Sequence, residues 1–239
     1  DLRRLMGYVS QVLAAAGGLV LVAVGAAVWF WSDSAPPEPP PKPDGVTIEP
    51  PPAPIARPAP DAAPGPTLAS EDAIRGHRAT APTLFRLAAN PRVFVADFPG
   101  LDQQAAALNR VAALVEKSGA PRDRVLTDAE LAAAIARSGE TPATYYYGHN
   151  YRGHDLDRFF ALAARDGITL TAEEEWLRQQ VLRIRALLPA EAEFALVSVP
   201  GLEARIDETM RTAILHHELG HGHFFTNPAF AAHVAQVWR

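Results

Sequence analysis

Apolar residues follow three different rhythms along this chain. From Leu5 to Ser32 no residue is charged, and residues 12–31 are almost wholly apolar, long enough as a helix to cross the roughly 30 Å hydrocarbon core of a bilayer. The run closes on Trp29, Phe30 and Trp31, aromatic residues of the kind favoured at a membrane interface. A cleaved signal peptide has a shorter apolar core, about 7 to 15 residues, so residues 1–33 are read as a retained membrane anchor. Arg3 and Arg4 precede the span, while Asp33, Glu38 and Asp44 follow it. That asymmetry keeps the N-terminus in the cytoplasm and exports the rest to a periplasmic or extracellular compartment, as a single-pass protein.

The second rhythm is an absence. Residues 34–66 contain almost no large apolar side chain, and 14 of the chain's 22 prolines fall between Ala35 and Pro66. Such a segment cannot bury a core; it favours extended polyproline II at about 3.1 Å per residue, a tether reaching approximately 100 Å.

The third zone, residues 67–239, is long enough for one domain with a real core. Helical spacing dominates it. Residues 101–117 carry an apolar stripe that stops at Ser118-Gly119. Thr127 with Glu130, and Thr171 with Glu174, have the spacing of capping boxes that open helices ending before Gly139 and Pro189. Residues 155–166 read as a helix closed by Gly167, residues 204–225 as a long one, and a short helix follows Asn227-Pro228. Two β-rich runs, residues 92–98 and 194–199, are each followed by Pro-Gly-Leu. The expected fold class is α+β with helices in the majority, and residues 194–199 are the candidate sheet edge that would hold an extended peptide.

Composition narrows the chemistry. The net charge of −5 offers no electrostatic case for nucleic acid. With no cysteine, disulfides and thiolate metal sites are excluded.

One motif stands out: His217-Glu218-Leu219-Gly220-His221. Ile206, Met210, Ala213, His217, Gly220, His221 and Phe224 follow the spacing of one helix face, which predicts that both histidines lie in a core-facing apolar stripe. Histidines four residues apart on a helix can turn two ring nitrogens onto one ion. Glu218 falls about 100° round the helix from the pair, where a general base belongs.

These residues resemble the zincin superfamily of zinc metallopeptidases, and the resemblance covers this helix alone. It implies a zincin-like fold, Zn2+ as cofactor, His217 and His221 as metal ligands, and Glu218 as the catalytic residue that activates water and carries its proton. His223 stands where the extended motif usually has a hydrophobic residue. Phe224 and Asn227 occupy the positions where the metzincin subgroup needs a glycine and a histidine, which excludes that subgroup. The gluzincin subgroup takes a later glutamate, yet no Asp or Glu follows Glu218. A third ligand is therefore sought in His233, in an upstream carboxylate such as Glu193 or Glu203, or, since the chain stops inside a running helix, beyond Arg239.

His216 and His223 are expected on a flank away from the pair. The run from Tyr145 to His154, rich in tyrosine and histidine, reads either as a loop packing its rings on the core or as a cleft lining that donates to an oxyanion. The resulting expectation is a membrane-anchored, exported zinc metallohydrolase acting on peptide or protein. Its rival is a non-enzymatic cell-envelope module whose histidines are structural or bind metal without turnover.

Overall fold

The computed structural model describes residues 65–237. The expected membrane span and all but the last two residues of the tether lie outside them. Among the described residues no helix is long and apolar enough to cross a membrane.

Among the described residues seven α-helices and a five-stranded mixed sheet make an α+β domain. The strands are β1 (Thr67–Ala69), β2 (Thr83–Leu87), β3 (Val93–Phe98), β4 (His149–Arg152) and β5 (Ala195–Pro200), in the spatial order β1-β2-β3-β5-β4. β1 runs parallel to β2 and β3 parallel to β5, while the β2–β3 and β4–β5 pairs are antiparallel. The helices are α1 (Glu71–Gly76), α2 (Leu101–Val115), α3 (Asp128–Arg137), α4 (Gly153–Arg165), α5 (Ala172–Leu187), α6 (Glu208–Thr226) and α7 (Pro228–Val237).

Strand alternation divides the core into two layers. On β3, Phe94, Ala96 and Phe98 join Leu108 and Val111 of α2, Leu156 and Phe159 of α4, and Leu177 and Val181 of α5. Val93 and Val95 face the other way, toward Ile74 of α1 and Ile214, Leu215 and Leu219 of α6. Every residue of β3 and β5 is buried, the pattern of strands covered on both faces. This corrects one expectation: the run read at residues 194–199 forms the interior strand β5, and the edge beside α6 is β4. The capping boxes at Thr127 and Thr171 form as expected.

Two devices seat α6 on the sheet. Arg211 and Asp97 are both fully buried, with Nη1 3.0 Å from Oδ1 and Nη2 3.1 Å from Oδ2. The same guanidinium donates to the Ile74 carbonyl at 3.0 Å and to Pro200 O, so the paired charges are hydrogen-bonded as well as neutralised. Further along, a Cβ on Gly222 would stand 2.9 Å from Val93 Cγ1. Only glycine lets the helix lie this close to the β3–β5 pair.

Candidate metal centre

The buried face of α6 comprises Arg211, Ile214, Leu215, Glu218, Leu219, Gly222 and Thr226. The helical period matches the sequence expectation, but the phase is turned by about one residue, roughly 100°. The histidine pair therefore does not face the core: His217 is exposed and His221 half-buried, while Glu218 is 6% exposed. The reason lies in residues that do not look like core. Arg211 is buried through its ion pair, Gly222 by close approach, and Thr226 because its hydroxyl donates to the Gly222 carbonyl (2.7 Å) and accepts from Asn90 Nδ2 (2.8 Å).

On the open flank, His217 and His221 turn their Nε2 atoms to within 3.2 Å of each other, with ring centroids 4.9 Å apart. Two nitrogens bound to one tetrahedral zinc at about 2.0–2.1 Å would stand approximately 3.3 Å apart, so the spacing fits two corners of such a site. Although His217 is exposed at its surface, protein mass around its ring desolvates it and lowers its pKa. Burial, and then the neighbouring His217, bring His221 down to about 4. Both rings are consequently neutral near pH 7, the form in which imidazole binds a metal.

The third corner is missing. Among the described residues no group of three His, Asp or Glu side chains is arranged to hold an ion. Glu203 Oε2 accepts from the Leu101 amide at 3.1 Å and caps α2. Glu193 pairs with His154 at 2.6 Å, and His233 is exposed on α7. His216 is paired with Glu71 at 2.6 Å, and His223 Nδ1 lies 3.2 Å from Asn90 Nδ2; both are turned away from the pair.

The tyrosine-rich run lies against Glu218. Asn150 of β4 donates from Nδ2 to Glu218 Oε2 at 2.8 Å, and Gly148 sits so close that any Cβ there would strike the Glu218 carboxyl. Its rings do pack: Tyr151 is fully buried with its hydroxyl donating to the Leu108 carbonyl at 3.3 Å, and Tyr145 is 6% exposed. Packing and cleft position are thus both properties of this run, because β4 presents Tyr151 to one sheet face and Asn150 to the other. Gln104 and Asn109 of α2 fasten the preceding segment by donating to the Tyr147 (3.0 Å) and Pro142 (2.9 Å) carbonyls.

Burial pushes the Glu218 carboxyl up to about 7, with the Asn150 hydrogen bond acting in the opposite sense. A second carboxyl, Glu116 just past the end of α2, is pushed up to about 8, first by burial and then by the charge of Glu218. Its Oε1 is buried without a hydrogen-bond partner. Sequence reasoning singled out Asn150 only as part of the run and missed Glu116, whose pattern in the chain is that of an ordinary helix end.

Comparison with protein-family models, with curated proteins and with solved structures gives no significant match.

Proposed function

We propose that this chain is a membrane-anchored, exported zinc-dependent hydrolase of zincin type, acting on peptides. One observation carries the reading: two neutral imidazoles converge at 3.2 Å on an open helix flank, with a buried carboxyl on the adjoining face of the same helix turned to the sheet edge. Zinc held by His217 and His221 would supply Lewis acidity toward a substrate carbonyl and toward water. Asn150 holds Glu218 Oε2, leaving Oε1 to accept a proton from the attacking water and return it to the leaving amine. Among the described residues the outer edge of β4 has no strand partner, and it can align an extended peptide through main-chain hydrogen bonds.

A second reading, a tethered envelope module without turnover, is favoured by the lack of a third ligand among the described residues. Metal analysis and peptide turnover of the purified full chain separate the two. The parent is expected to take up about one zinc at micromolar concentration, more weakly than a site with three protein ligands. His217→Ala and His221→Ala should each abolish stoichiometric metal. Glu218→Gln should keep metal and lose turnover by 100-fold or more, on the order of general-base catalysis. His233→Ala should leave the metal in place. A parent that takes up no zinc sinks the hydrolase reading; one that holds zinc and turns over no peptide leaves the module reading in its place.

A further inference from the structure

Arg152 is the last residue of β4 and shares the α6-facing side of that strand with Asn150, since Tyr151 between them points into the opposite core layer. Its guanidinium carbon stands 4.6 Å from the centre of the Phe225 ring, and that ring is 6.1 Å from the His221 ring. A partly buried arginine is thereby held over an aromatic ring on the approach to the histidine pair. Stacking leaves the hydrogen-bonding fork of the guanidinium free.

No carboxylate answers it among the described residues. Asp155 of α4 and Glu193, two residues before β5, are turned to His154 at 3.4 and 2.6 Å. Asp157 pairs with Arg185. Every other arginine described in the core layers answers a carboxylate or a carbonyl: Arg211 has Asp97, Arg110 has Glu174 at 3.0 Å, and Arg185 has Asp157. A stacked, oriented and unanswered fork beside a candidate reaction centre has the chemistry of a carboxylate receptor, because guanidinium and carboxylate match through two parallel hydrogen bonds.

Register locates the ligand. Successive residues on one side of a strand are about 7 Å apart, so a peptide laid along β4 with its carbonyl at Asn150 and Glu218 would bring a group about two residues away to Arg152. We infer that Arg152 is a specificity residue that recognises a peptide carboxylate, an acidic side chain or a free C-terminus, about two residues from the bond attacked. The position of that bond rests on the hydrolase reading; the carboxylate binding does not.

The test uses the full chain in detergent carrying Glu218→Gln, so that binding is measured without turnover. Nonapeptides of alanine and leucine carrying an uncharged BODIPY dye on the N-terminus serve as probes, in three forms: C-terminally amidated and neutral, amidated with one central Glu, and without Glu but with a free C-terminal carboxylate. Fluorescence anisotropy should show one or both carboxylate-bearing peptides binding about tenfold or more tighter than the neutral one. Which of the two gains identifies the source of the carboxylate. Adding Arg152→Ala should bring all three within about twofold of each other, and Arg152→Lys should restore part of the preference as a point charge. Near-ultraviolet circular dichroism on each variant confirms folding. Equal binding of the three peptides, binding of none, or a preference that survives Arg152→Ala would overturn the inference. Zinc content measured on the same samples keeps the two readings apart. A preference that depends on Arg152 in protein without zinc would sink the hydrolase and leave the carboxylate site standing.

Discussion

At the scale of single residues, buried carboxyls set how this domain responds to pH. The Glu116 carboxyl titrates at about 8 in the fold against a usual 4.5, chiefly because burial disfavours its charge. A raised folded pKa on an acid means that the native state holds a proton which the unfolded chain has lost. The contribution is therefore complete below about pH 4.5, where both states are protonated, and is lost as pH rises toward 8. In that window one such group lowers stability by up to about 1.4 kcal/mol per pH unit. Glu116→Gln removes the titration. Urea unfolding of the parent between pH 5 and 8 should show stability falling with pH, and the variant should fall less steeply by the equivalent of one proton. Parallel curves would mean that Glu116 stays in contact with solvent. Gly148 works at the same scale: its missing side chain is the space into which the Glu218 carboxyl fits.

At the scale of elements, α6 decides the geometry of the candidate site. The helix lies close on the sheet at Gly222, where an added methyl group would meet both Val93 methyls, at 2.9 and 3.3 Å. Val93 is fully buried on an interior strand and β-branched, so it has little freedom to turn aside. Gly222→Ala should cost about 1–3 kcal/mol, the range for overpacking a filled core, despite alanine's better helix propensity. Val93→Ala in the same chain returns the space, so the double variant should be less destabilised than the sum of the single ones. Additive losses in denaturant unfolding would count against a tight α6–β3 contact. The edge strand is the other decisive element. β4 has four residues, and through them Tyr151 enters the core, Asn150 holds Glu218 and Arg152 stacks on Phe225.

At the scale of the whole molecule, the described fold begins at the end of the proline-rich composition. Strand β1 starts at Thr67, paired with Phe85, and the preceding proline-rich segment has almost no large apolar side chain from which to build a core. Limited proteolysis of the full chain in membrane vesicles should therefore cut first among residues 35–64 and release a soluble fragment with cooperative thermal unfolding. First cuts falling within residues 67–237, or a fragment that stays with the vesicles after cleavage, would refute this division.

Much of the secondary structure was legible in the chain because its signals are local. The capping boxes at Thr127 and Thr171 lie within one turn of the helices they open, and the apolar runs of β3 and β5 announce themselves over six residues each. The short β1, β2 and β4 and the six-residue α1 went unread, since their few residues carry too little periodicity to stand out. The histidine pair and its spacing were legible for the same local reason: four residues on one helix. The direction in which that helix faces was not. It depends on Arg211 meeting Asp97 across 114 residues of chain, and on Asn150 meeting Glu218 across 68. A buried arginine, a glutamate and a threonine share the core face of α6 with Ile214, Leu215 and Leu219, and by residue type alone those three polar residues belong at the surface. Local spacing fixes which side chains share a face, whereas only long-range pairing chooses the face that is buried, and with it which carboxyl meets the sheet and which imidazoles stay open to a ligand.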